Sequence, residues 1–367
     1  MFSKNLRFNE IVENKNKIYS SNGLSDREYK NIILELKSIK SSPKLFPYSL
    51  DIQNNKIDFV KMDKADYKKS FFIMSPGDGP GNLKSQYAFS MKFNDVVDIF
   101  KDHNYLNKSS IIYNHGFCCG TLLSRLLEES FNVLSLREPP LLHTLKYHLE
   151  TNENNHDIKN TIFCLYNRSF SNKQKVLWKP SDYAFDLIDS TESLKIPSLY
   201  LYSPLREYIA SCSKEKRAEW IKNRANYEKI LNYLNIPADK IDITKTANQA
   251  MLYWTYFAKK FISYSSKSNN LIALNSKNLL NKPKIINAVG QHLELKNRFN
   301  IFKKVNTKKL LNTYSKTDDY EFNKDIRSEL LNKIIQKNIN DITKAEEIAE
   351  EILNISIRDF KFDQELF

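Results

Sequence analysis

Cysteine is scarce in this chain, four residues in 367, and two of the four, Cys118 and Cys119, are adjacent while Cys164 and Cys212 stand alone. That spacing excludes a disulfide framework and a tetrahedral metal site. The six histidines form no HExxH motif and no HxE motif with a CxxC partner. His143 and His148 stand five apart, the wrong spacing for one helix face, so no metal is expected. No run of some eighteen apolar residues occurs, and the first twenty residues, MFSKNLRFNEIVENKNKIYS, hold no apolar stretch of signal-peptide length. The expectation is a cytoplasmic protein without a membrane span. Although 56 Lys and Arg against 43 Asp and Glu leave a formal charge of +13, no five basic residues run together. Lysine is spread over the chain among Asn and Ile, so no nucleic-acid surface is expected.

What is present is an ordinary globular composition, 41% hydrophobic and 27% charged. The chain divides on paper into an N-terminal α+β extension over 1–105, a core over 106–300 and a C-terminal helical segment over 301–367. Ser25 and Glu28 form a capping box before Ile32, Ile33, Leu36 and Ile39, which predicts a helix over 26–39. IDFVKM at 57–62 and FFIM at 71–74 read as strands. PGDGPGN at 76–82, with three of the seven glycines, reads as a turn rather than a phosphate loop, because Pro80 removes a donor and no apolar helix follows. From residue 109 short β-branched runs alternate with helical stretches, the pattern of a parallel sheet. Strands are expected at 111–114, 132–136, 175–178, 198–202 and 271–275, with helices at 121–130, 139–149, 182–189, 204–213 and 245–264. Beyond 300 the chain reads as helical, with Leu330, Leu331, Ile334, Ile335 and Ile339 on one stripe.

Immediately after the first of these strands comes HGFCCGTLLSRLLEES, in which Gly116 and Gly120 bound a five-residue turn and Thr121, Leu122 and Leu123 open a helix. A turn followed by a helix N-terminus gathers backbone N–H groups into a concave donor cluster suited to a phosphate. A Cβ at Gly120 would obstruct the ligand's approach. A Walker A loop reads GxxxxGK[ST]; here Thr121 follows Gly120 directly, so an ordinary ATPase or GTPase is disfavoured.

These stretches, FCCGTLLSRLL at 117–127 with SLREPPLL at 135–142, WKPSDYA at 178–184 and SPLREYIAS at 203–211, resemble the PAPS-dependent sulfotransferase superfamily, most closely its bacterial members with FCxSTLL followed by LREP. LNSKNLLNKPKIINAVGQHLEL at 274–295 is similar to the family's last strand and helix. The resemblance implies a P-loop α/β fold, a sheet of parallel strands flanked by helices, that carries a sulfuryl group from PAPS to a hydroxyl or amine without a metal. It implies donor contacts from Gly116, Phe117, Cys118, Cys119, Gly120, Thr121 and Leu122, and from Arg206 and Ser211 at the 3′-phosphate. It also implies catalysis by Glu138 as base, aided by Lys179 and Arg137. The sequence departs from the family at Cys118, where many members have lysine, and at Ser203, where they have arginine; Lys179 and Arg206 are candidates to replace those charges.

Plain structural roles stand beside these. Glu138 could cap the helix opened by Pro139 and Pro140, Lys179 could reach solvent, Arg137 could sit in a salt bridge, and Ser211 could bond back within its own helix. Cys118 and Cys119 read as small residues that offer backbone N–H groups rather than as reactive thiols. Trp178, Trp220 and Trp254 read as core or pocket wall. Two other functions fit the same loop: a catalytically silent nucleotide-binding or interaction module, and an atypical ATP-using kinase.

Overall fold

The computed structural model describes residues 26–37, 43–62, 64, 67, 88–101, 109–151, 156–191, 194–298, 303–313, 321–357 and 360–366. The chain is α/β, with a six-stranded parallel sheet flanked by helices. Its strands are β4 (Ser109–Asn114), β5 (Val133–Arg137), β6 (Lys175–Lys179), β7 (Ser198–Tyr202), β8 (Leu271–Asn275) and β9 (Glu365–Leu366), in the order β5-β6-β4-β7-β8-β9. The five strands expected from β-branched and aromatic runs all form, displaced by two residues at most. All residues of β4, β5 and β7 are buried, as in a sheet covered on both faces, which is why these strands read as continuous apolar runs. β9 is a strand the sequence did not signal: two residues, Glu365 and Leu366, carry no periodicity. Glu365 pairs with Ala273 of β8 and accepts a hydrogen bond from the Tyr202 hydroxyl at 2.5 Å.

The chain folds as two compact units, each discontinuous in sequence. Unit one comprises Met1–Ser110 and Asn132–Trp178. It contains an antiparallel sheet of β1 (Leu45–Asp51), β2 (Lys56–Lys61) and β3 (Ala88–Lys92), in that order. β2 matches the expected strand at 57–62, whereas β1 was not expected, because Pro47 argues against a strand. The β1–β2 register accommodates it with an irregularity between Pro47 and Ser49. Helices Asp26–Lys37, Phe93–Phe100, Leu141–Thr151 and His156–Tyr166 complete the unit. Ser25, residues 38–39, FFIM at 71–74 and the turn at 76–82 lie outside the described residues.

Unit two comprises Ile111–Phe131 and Lys179–Phe367. Its longest helix, Thr246–Ser265, is buried on most of its circumference, since helices Leu205–Cys212, Tyr227–Leu234 and Ile339–Leu353 all pack against it. A 3₁₀ turn, Asp182–Leu187, runs into the short helix Ile188–Thr191 where one helix was expected. The C-terminal segment is helical as expected, in Lys303–Asn312, Lys324–Lys337 and Ile339–Leu353. The apolar stripe is weaker than the sequence suggests: Leu331 is buried, but Leu330 is 40% exposed, because few surfaces meet that helix. Among the described residues no helix is long and apolar enough to cross a membrane, and no three His, Cys, Asp or Glu gather as metal ligands.

Candidate functional site

The turn between β4 and helix Gly120–Ser130 is conformationally unusual. Phe117 and Cys119 both adopt left-handed backbone, with φ of 65° and 68°. A residue with a Cβ pays roughly 1 kcal/mol or more for this, so surrounding contacts must hold it there. The two glycines have a different reason. A Cβ on Gly116 would lie 2.9 Å from Cη2 of Trp220 and 3.6 Å from Oδ2 of Asp182. A Cβ on Gly120 would lie 2.7 Å from Cε of Lys179 and 3.2 Å from Oδ1 of Asn114. The sequence argument for Gly120 invoked a ligand's approach; the structure shows that the close neighbour is Lys179 itself.

The turn is pinned from beneath by two neutral groups. His115 is fully buried, and its Nε2 accepts the Ser203 N–H at 2.9 Å. Nδ1 must therefore carry the proton, which it donates to the Gly116 carbonyl at 2.9 Å. Burial holds the His115 pKa down to about 4, so the ring is neutral at pH 7, and it packs on Tyr208 with centroids 4.3 Å apart. Cys118 donates its S–H to the His115 carbonyl at 2.9 Å and lies 3.3 Å from the Leu201 carbonyl. Burial pushes its thiol up, which removes it as a nucleophile and agrees with a packing role. These bonds tie the end of β4 to the end of β7.

Charge reaches the turn from elsewhere in unit two. Lys179, the last residue of β6, is 2% exposed and lies along Gly120. Its charge favours the ionised form of both Asp182 and Cys118. Burial alone would raise the Asp182 carboxyl, but its ion pair with Arg224, the charge of Lys179 and the Tyr253 hydroxyl outweigh it and hold it below the usual carboxylate range. Arg224 also lies over the rings of Trp220 and Tyr183, at 5.2 and 5.4 Å. Trp220 meets Phe117 edge-on at 4.8 Å, so this tryptophan is a wall of the turn, while Trp178 and Trp254 are core.

The remaining expected residues fall as follows. Thr121 and Leu122 are buried in the first turn of helix Gly120–Ser130, and Cys119 stands at its N-cap, half-buried. Arg206 forms a two-pronged ion pair with the buried Glu346, Nε lying 2.9 and 3.2 Å from the two carboxylate oxygens, so its charge is already matched. Ser211 is buried in helix Leu205–Cys212, and its carbonyl accepts from Arg217 at 3.4 Å. In unit one, Arg137 is completely buried and donates to the Tyr67 carbonyl at 3.1 Å, a partner no sequence pattern signalled. Glu138 is half-buried on left-handed backbone, φ 57°. The helix after it opens at Leu141, whose N–H goes to the Tyr166 hydroxyl at 3.0 Å.

Sequence reasoning passed over His115, Asp182 and Arg224 as site residues, and offered Trp220 only as core or pocket wall. Asp182 lay inside a quoted motif, WKPSDYA, where an acid near a strand end was visible; Arg224 gave no signal, lying in an unremarkable charged helix. No protein-family model matches the chain, and no curated protein matches it either.

Proposed function

We propose that the turn at 115–121 holds the anionic end of a nucleotide donor, and that the protein moves a sulfuryl group from PAPS to a hydroxyl or amine. The observation that supports this reading is the placement of Lys179, a lysine with 2% of its surface exposed, along Gly120 at the start of a helix. The Lys179 side chain lies beside the backbone N–H groups that open helix Gly120–Ser130, a combination that suits an anion.

In this reaction the acceptor atom attacks sulfur in line, the bond from sulfur to the 5′-phosphate oxygen breaks, and the acceptor's proton passes to a carboxylate. The resemblance gives that last role to Glu138. The turn's N–H groups and Lys179 would counter the charge growing on the departing phosphate. A second reading, a nucleotide-binding module without catalysis, is favoured by one observation: the Arg206 guanidinium that would meet a 3′-phosphate is held by Glu346.

The test is a thermal-shift series on the full chain with 3′,5′-adenosine bisphosphate, PAPS, ATP and GTP. Stabilisation grows with ligand over dissociation constant, so it ranks donors without an acceptor. The bisphosphate is expected to stabilise more than ATP at equal concentration; equal or greater stabilisation by ATP defeats the donor assignment and favours a kinase. Binding of PAPS with no release of sulfate to water or to any acceptor supports the silent module.

A further inference from the structure

Asn114, the last residue of β4, is 6% exposed, and its amide is fixed in one orientation. Nδ2 donates to the His115 carbonyl at 2.9 Å, so the acceptor, Oδ1, is turned to the other side. There Oδ1 lies 3.2 Å from where a Cβ on Gly120 would stand, against the first residue of helix Gly120–Ser130. It has no hydrogen-bond partner among the described residues. Its neighbours at this spot are of the opposite kind. The first bond of the helix ladder runs from the Leu123 N–H to the Cys119 carbonyl at 3.0 Å, so the N–H groups of Gly120, Thr121 and Leu122 lie ahead of it. Cε of Lys179 lies 2.7 Å from the same Cβ position.

A buried acceptor left without a donor is costly, so a group that fills this spot binds best if it supplies one. The same group has to accept from the helix N–H groups and present negative charge to the lysine. Sulfate meets the second demand and fails the first: it has no proton to give and would set an oxygen against Oδ1. Hydrogenphosphate meets both, since its P–OH donates to Asn114 while its other oxygens accept.

We propose that Asn114 makes the 115–121 turn selective for a phosphate group that keeps a proton, and turns sulfate away. The inference rests on the proposed function only in taking the turn as the anion site, and goes beyond it by naming the residue that selects the anion. Within the proposed reaction, the group that suits Asn114 is the 5′-phosphate left after transfer, which as a monoester can hold a proton, rather than the phosphosulfate before it.

Isothermal titration of the full chain with inorganic phosphate and with sulfate tests it at about pH 8, where both ions are tetrahedral dianions and only phosphate carries a proton. The parent is expected to bind phosphate about tenfold or more tightly than sulfate, the effect of leaving one buried acceptor unpaired. Asn114→Ala should bring the two affinities together by weakening phosphate and not sulfate. Lys179→Ala should weaken both ions and keep the preference. Because the two ions are compared on one variant, a turn that has merely loosened in Asn114→Ala loses both alike, and that result overturns the proposal. Equal affinities in the parent also overturn it while leaving the turn as an anion site; a parent that binds neither ion defeats both readings. Adenosine 5′-monophosphate at about pH 6, where its phosphate is half protonated, identifies the bearer. If Asn114→Ala weakens its binding as well, a phosphate ester is held there; if only inorganic phosphate is weakened, the free ion is. Should Asn114→Ala fail to fold by circular dichroism, Asn114→Leu, which keeps the bulk without an acceptor, supplies the same readout.

Discussion

β4 runs through Asn114 into a turn held by His115 and Cys118, whereas β5 runs through Arg137 into Glu138 and two prolines. Both turns place a residue other than glycine in left-handed backbone, Phe117 and Cys119 in one and Glu138 in the other. They differ in where their charge comes from. The first turn has no ionised group of its own: His115 is held neutral by burial, and Lys179, Asp182, Arg217 and Arg327 arrive from four other places in the chain. The second carries its acid in the turn itself, while the neighbouring Arg137 is spent on the Tyr67 carbonyl. A turn that imports charge can be tuned by distant residues; one that carries its own depends on a single side chain.

That contrast can be broken most sharply at Glu138. Glu138→Gln keeps the shape but cannot take a proton, so turnover is expected to fall by roughly 10²- to 10⁴-fold with donor affinity unchanged. Turnover close to the parent's would show that the second turn's acid is structural. The first turn is probed next through His115. Its folded pKa of about 4 lies below the ordinary 6.5, so the unfolded chain binds the proton more readily between those values. The stability contribution is therefore complete above about pH 6.5 and is lost as pH falls toward 4, by roughly 3 kcal/mol in total. Urea unfolding at pH 7 and 4.5 should show this loss in the parent and a smaller one in His115→Gln; equal losses would show that His115 is not the group responsible.

Lys179→Ala separates imported from local charge. Donor affinity and rate should both drop, the rate by about 10²-fold, as for removal of one preorganised charge. Slow hydrolysis of PAPS can report the rate without an acceptor, and parental binding and hydrolysis in this variant would favour the silent module. The smallest effect is expected at Arg206, which Glu346 already occupies. Arg206→Ala should change donor affinity by less than about threefold while lowering stability by about 1–2 kcal/mol, the range between an exposed and a buried pair. A larger loss of affinity would show that the arginine leaves Glu346 for the ligand.

The five strands of the core were legible because strands covered on both faces write themselves as unbroken runs of β-branched and aromatic residues. Gly116 and Gly120 marked the turn for a similar reason: neither position has room for a Cβ. By contrast, β1 was hidden by Pro47 and β9 by its two-residue length. The helix 182–189 was read as regular because its composition does not reveal the 3₁₀ geometry of Asp182–Leu187.

What the sequence by itself determined is therefore local: which segments can bury two faces, where a glycine opens the backbone, and that a strand, a turn and a helix follow in order from residue 111. Only the tertiary structure decided which charges meet. Arg327 reaches the carbonyl of Phe117 across 210 positions, and Glu346 takes Arg206 across 140. Periodicity reports which face of an element is apolar, but a long charged side chain chooses its partner from whatever the packed helices bring within a few ångströms, and no local pattern encodes that choice.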